Sequence, residues 1–190
     1  GYFSADFRKH AVMYLIKGVF ELHNKEQFDI YIYSLNSKED ELTDELKKNI
    51  NVFRNITYIS DEKAALIARE DSLDIAVDLM GYTKNMRLSI FSLRVAPIQI
   101  AYLGYPGSTG SNCMDYLIAD KVIIPNKFRK FYSEKVIYMP NCYQCNDSNR
   151  RTSEKEFNKA ELGLPEDAFV FACFNANNKI TSVEYDIWMS

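Results

Sequence analysis

The chain has 190 residues, 47% of them apolar and 14% aromatic, enough to bury one substantial core and begin a second. Its net charge of -3 and its scattered acids and bases lack the basic footprint needed to hold nucleic acid or an anionic membrane. No apolar run reaches the roughly 18 residues of a membrane span, Gly1-Tyr2-Phe3-Ser4 does not open a signal peptide, and Cys113, Cys142, Cys145 and Cys173 make no disulfide framework, so a cytosolic protein is expected.

Hydrophobic periodicity predicts alternating strands and helices. A short strand at Tyr2-Phe3 leads into a helix carrying Val12, Leu15, Ile16, Val19 and Phe20, which ends near His23-Asn24. A strand over 28–35 follows, then a helix over 40–50 with acids in its first turn and Lys47-Lys48 in its last, a strand over 56–59, and a helix capped by Ser60. Asp74-Ile-Ala-Val-Asp-Leu-Met80 is a nearly all-apolar run stopping at Gly81, as a strand buried on both faces of a parallel sheet would. Residues 84–94 read as a helix and 97–102, 116–118 and 136–139 as strands. This βα alternation predicts an open, doubly wound, Rossmann-like α/β sheet with ligands at its carboxyl edge.

Residues 141–151 turn polar and read as a linker, Ser153-Glu-Lys-Glu156 as a capping box opening a short helix, and Phe169-Val-Phe-Ala-Cys-Phe174 as a new buried strand. We therefore divide the chain into a first lobe (1–141), a linker with a short helix (142–167) and the start of a second lobe (168–190). The chain is expected to be a piece of a longer protein.

Several residues invite a chemical reading beside a structural one. His10 stands where the first helix begins, suited to a base or to a partner of a hydroxyl or phosphate, and equally to capping. Gly81-Tyr-Thr-Lys84 and Leu103-Gly-Tyr-Pro-Gly-Ser-Thr-Gly-Ser111 follow buried strands and would let a ligand approach the backbone, or would simply turn it; neither is a dinucleotide fingerprint or a P-loop. Asp78 is either a satisfied structural carboxylate or a poised site group, and Lys179 either an exposed lysine or a phosphate partner. Cys142-Tyr-Gln-Cys145 has metal-knuckle spacing but no second Cys or His pair nearby, so no metal is expected.

In order along the chain, Gly1-Tyr-Phe-Ser-Ala-Asp-Phe7 with His10, Val77-Asp-Leu-Met-Gly-Tyr-Thr83 with Arg87, Arg94-Val-Ala-Pro-Ile-Gln99, Leu103-Gly-Tyr-Pro-Gly-Ser-Thr-Gly110, Met114-Asp-Tyr-Leu-Ile-Ala-Asp120, Tyr132-Ser-Glu-Lys135 and Phe174-Asn175 with Lys179 resemble the catalytic region of the protein O-GlcNAc transferase and Spindly family. The resemblance implies the first lobe of a two-lobed glycosyltransferase B-type fold, with tetratricopeptide repeats upstream. It implies an inverting, metal-free transfer of N-acetylglucosamine from UDP-N-acetylglucosamine to Ser or Thr hydroxyls of proteins, and a fragment inactive by itself. By the same resemblance His10 matches a proposed base or acceptor-positioning group and Lys179 the lysine that neutralises the departing diphosphate. Gly81, Tyr82 and Thr83, with Gly104, Tyr105, Pro106, Gly107, Ser108 and Thr109, would line the acceptor and sugar cleft, joined by Asn175; Asp78 is grouped with His10 and Lys179 as catalytic. Two departures stand out: Tyr82 replaces a histidine found in many members, and Ala176 replaces the family's Gln after Phe174-Asn175. The second keeps a GDP-fucose or other hexose donor open, and a binding module without turnover stands as a separate alternative.

Overall fold

Parallel strands must be joined by a crossover rather than a tight turn, and seven segments of this chain are connected and paired in that way. The structure, a computed structural model, describes residues 1–150 and 152–190. Within it the chain divides into two units, residues 1–150 and the residues that follow.

The first unit carries β1 (Tyr2–Ser4), α1 (Ala11–Leu22), β2 (Tyr31–Ser34), α2 (Glu41–Lys48), β3 (Val52–Asn55), α3 (Asp61–Glu70), β4 (Ile75–Asp78), α4 (Ser89–Ser92), β5 (Ile98–Ala101), β6 (Tyr116–Ala119) and β7 (Lys135–Tyr138). All pairings are parallel, in the order β3-β2-β1-β4-β5-β6-β7. The chain builds outward from β1 to β2 and β3, then returns to β1's other side with β4. That reversal puts a crevice outside the carboxyl ends of β1 and β4, where doubly wound sheets hold ligands.

Two apolar layers cover the sheet. On one face Val12, Met13, Ile16 and Phe20 of α1 and Leu46 of α2 pack on Ile32, Val77 and Ile100. On the other, Ala64, Ala65 and Ala68 of α3 with Ile90 and Phe91 of α4 pack on Phe3, Tyr33 and Ala76. The small face of α3 lets it lie close to the sheet, and the Phe3 and Tyr33 rings stack at 4.3 Å beneath it. The expected α/β sheet is therefore present, and Ser60 caps α3 as read, accepting from Lys63 N; Asp40, read only as an acid of the first turn, is the cap of α2 and accepts from the Leu42 and Thr43 amides.

Some boundaries differ. The strand expected over 56–59 is instead β3 at Val52–Asn55; as an edge strand it tolerates the exposed Arg54 and Asn55, so its polar residues hid it, while Ile56 turns into the core. The helix expected over 84–94 shrinks to Ser89–Ser92, because Asn85 and Arg94 adopt left-handed backbone angles (φ 67° and 58°) that a right-handed helix cannot contain.

The R-x-A-P-I-Q segment is structural. The buried Gln99 side chain accepts from Val95 N (2.8 Å) and donates to Phe91 O (2.9 Å) and Cys113 O (2.6 Å), while Arg94 reaches Pro97 O and pairs with Asp115. Together they tie α4 and the loop before β6 to β5.

In the second unit α5 (Ser182–Met189) forms, with Thr181 and Glu184 as a capping box. The helix expected from Ser153 and the strand expected at 169–174 are not formed: residues 159–163 are turns, and Phe169, Phe171 and Phe174 are 80%, 90% and 98% exposed. A parallel strand has no stability without strands beside it, and the described residues of this unit contain no other. Arg151, the end of the expected linker, lies outside the described residues.

Candidate active site

Three loops meet at the carboxyl edge: residues 5–10 after β1, 79–88 after β4, and 102–115 after β5.

Asp78 closes β4 with its carboxylate turned back onto its own loop, accepting from Met80 N (3.0 Å) and Gly81 N (2.9 Å). Burial pushes this carboxyl up from its ordinary value, and the two N–H bonds oppose that shift. Of its two readings the geometry fits the structural one: Asp78 folds the loop and leaves Gly81 in the left-handed region (φ 53°), its Cα against Tyr105. Met80 joins the first two loops, its sulfur accepting from Ser4 Oγ and Ala5 N, both at 3.3 Å, with Thr83 Oγ1 at 3.9 Å.

Tyr82 and Tyr105 form a wall. Their rings meet edge to face at 5.7 Å, and Tyr82 donates its hydroxyl proton to Thr109 O at 2.6 Å. Gly107 leaves room for the Tyr105 ring, Gly104 lies flat against the Leu79 carbonyl, and Pro106 is exposed. The loop is held from beneath by the buried Glu134, which accepts from Thr109 N (2.7 Å) and Ser108 Oγ (2.8 Å). Burial pushes the Glu134 carboxyl up, but the bonds from Thr109 and Ser108 outweigh it and hold it below its ordinary value. A carboxyl depressed on folding stabilises the fold above its unfolded value, about 4.3, and that contribution is lost as the pH falls through the folded value. The Thr109 amide should therefore lose hydrogen-exchange protection as the pH falls below the ordinary carboxylate range, and Glu134→Gln should remove that dependence; a wild type and Glu134→Gln with the same pH profile of Thr109 protection would contradict the assignment.

His10 is the N-cap of α1. Its Nδ1 accepts from Val12 N at 3.3 Å and lies 3.4 Å from Asp6 Oδ2, with the ring 40% exposed at the crevice. The loop bearing it is pinned by α2: Thr43 donates to Phe7 O (2.6 Å), Lys9 N to Asp40 Oδ2 (2.6 Å), and Lys9 pairs with Glu41. Arg8 contributes a buried Nε–H with no partner among the described residues.

Thus His10, Gly81 to Thr83 and Gly104 to Thr109 stand on the loops of one sheet edge. Asn175 and Lys179 belong to the second unit, both exposed, Lys179 ending a single 3-10 turn over Asn177–Lys179. Sequence reasoning missed Met80, Glu134 and Asp6 as site-forming residues. Two cavities of about 420 and 490 Å³ lie at the opposite, amino edge, around Asp71 to Val77. They sit where strands begin and carry none of the residues above. Among the described residues no three His, Cys, Asp or Glu side chains are grouped to hold a metal, and no helix is long and apolar enough to cross a membrane.

The model of glycosyl transferase family 41 matches residues 1–155, spanning every loop of this edge. The chain belongs to that family. This family-41 chain is 34% identical over 194 residues to the probable UDP-N-acetylglucosamine–peptide N-acetylglucosaminyltransferase SEC of Arabidopsis thaliana, covering 99% of the chain and 20% of that relative. It is 33% identical over 149 residues to the UDP-N-acetylglucosamine–peptide N-acetylglucosaminyltransferase of Caenorhabditis elegans, covering 77% of the chain and 13% of the relative. In three dimensions it superposes on a lysine-to-methionine mutant of Thermobaculum terrenum O-GlcNAc transferase with a TM-score of 0.74 at 32% identity, over 76% of this chain and 28% of that one. The family-41 chain thus spans about a fifth or less of the curated relatives it matches.

Proposed function

We propose that the protein carrying this chain transfers N-acetylglucosamine from UDP-N-acetylglucosamine to Ser or Thr hydroxyls of polypeptides. The observation that carries the reading is the family-41 match over residues 1–155, together with relatives in plants and animals named as UDP-N-acetylglucosamine–peptide N-acetylglucosaminyltransferases. The geometry supports it: one sheet edge brings together an imidazole, an aromatic wall and a glycine loop packed closely against that wall.

The acceptor hydroxyl oxygen would attack the anomeric carbon from the face opposite the leaving group, with inversion. The bond to the UDP oxygen breaks, the hydroxyl proton passes to a base, and the diphosphate departs with the bonding electrons. His10 is placed at the crevice to take that proton or to orient the hydroxyl. Tyr82, Tyr105 and the backbone of Gly104 to Thr109 line the acceptor and sugar, and Asp78 acts through the loop it folds. Lys179 and Asn175 serve the donor, the lysine offsetting charge that grows on the leaving phosphate. This makes residues 1–141 the first of two lobes and 168–190 the start of the donor lobe, in a protein with helical repeats upstream that works in the cytosol; the four cysteines, all free, accord with a reducing compartment.

Ala176, standing where the resembled family carries Gln, removes a polar contact near the donor and keeps a second donor open for the same site, GDP-fucose or another nucleotide hexose. Intact-mass spectrometry of acceptor peptides incubated with the full-length protein and each nucleotide sugar separates the readings. A gain of one N-acetylhexosamine supports the first and a gain of one deoxyhexose the second. No gain from any donor, with a folded protein, leaves a binding module.

A further inference from the structure

His10 Nδ1 faces two groups that ask opposite things of it. The Val12 N–H, 3.3 Å away, needs a lone pair on Nδ1; the Asp6 carboxylate, 3.4 Å away, needs a proton there. A neutral imidazole carries one N–H, so the two demands define two tautomers. When Nδ1 caps the helix the proton sits on Nε2, and His10 can only donate to a substrate. When Nδ1–H points at Asp6, the Nε2 lone pair is free to receive a proton.

Asp6 is built for the second arrangement. Its backbone is fixed by donation to Ser4 Oγ (3.0 Å), its side chain is only 13% exposed, and among the described residues no N–H or O–H hydrogen-bonds to its carboxylate. Its nearest cation, Arg8, stands off at 4.0 Å. The other charges on the elements around the pair are committed elsewhere: Lys9 to Glu41, and Asp40 to the start of α2 and the Lys9 amide. Burial raises the Asp6 carboxyl, opposed by His10 and Arg8, as suits a desolvated carboxylate with no donor of its own. The missing donor is Nδ1–H.

We propose that Asp6 is the positioning residue that sets the tautomer of His10, accepting Nδ1–H so that Nε2 faces the crevice as the base for the acceptor hydroxyl. The step balances within the pair: the hydroxyl proton moves to Nε2, the Nδ1 proton stays between imidazolium and carboxylate, and the carboxylate stabilises the positive charge formed. This inference rests on the transferase reading.

The test uses the full-length enzyme with a Ser acceptor peptide and its Cys counterpart assayed near pH 9, where a thiol is largely ionised and needs no base. Asp6→Asn should lower kcat for the Ser peptide by about 10²-fold or more, leave KM for donor and acceptor within about twofold, and leave transfer to the Cys peptide nearly unchanged. Asp6→Glu, which keeps the carboxylate, should recover part of the loss, and unchanged thermal midpoints rule out unfolding. Equal losses with Ser and Cys peptides, or no loss with either, would overturn the role of Asp6 while leaving a working transferase. A wild-type enzyme that transfers to neither peptide would overturn the transferase reading itself, and this inference with it.

Discussion

Gly104→Ala should cost about 3 kcal/mol or more of local stability, because the new methyl would sit 2.0 Å from the Leu79 carbonyl oxygen. That neighbour is backbone at the exit of β4, not a side chain that can swing away, and Leu103 already holds a left-handed angle (φ 68°) to bring the strands' ends so close. Relief requires β4 and β5 to part at their carboxyl ends, where the crevice lies. Gly110→Ala is the control: nothing lies within 4 Å of its added carbon, and its left-handed angle (φ 62°) should cost only about 1 kcal/mol. Hydrogen exchange of β4 and β5 amides in the two variants reads the difference. Equal, small effects would mean that the close approach is not essential to this edge.

Lys179→Ala should abolish nearly all turnover, by about 10² to 10³-fold in kcat, with the fold untouched. Its side chain is exposed and makes no ion pair among the described residues, and its backbone bond to Ala176 O at 2.9 Å survives the change. Stability should stay within about 0.5 kcal/mol, as for other exposed substitutions. A full-length Lys179→Ala enzyme that turns over at the wild-type rate would remove Lys179 from the chemistry.

How far the sequence reaches depends on what kind of signal a residue leaves in it. The 74–80 run was legible because a strand covered on both faces must be apolar throughout, and β4 lies inside it with only Asp78 polar, its charge absorbed by two amides. The glycines of 104–110 were legible because turns and close approaches need them, though only the structure separates Gly104, pressed on a carbonyl, from Gly110, in open space. β3 was misplaced because an edge strand need not be apolar, and the 169–174 run misread because apolarity alone does not supply a neighbouring strand. Met80 as an acceptor for Ser4 and Ala5, and Glu134 as the floor of the glycine loop, leave no local signal. One is an ordinary apolar residue at a strand end, and the other is one of 26 acids, distinguished only by what lies above it.

The proposed function has substrates meeting at the carboxyl edge between β1 and β4. Hydrogen exchange of the full-length protein, with and without UDP-N-acetylglucosamine and an acceptor peptide, tests it directly. New protection is expected in residues 5–12, 79–83 and 104–110, with none around 27–31 and 71–77. Protection confined to those amino-edge segments, beside the two cavities, would contradict it.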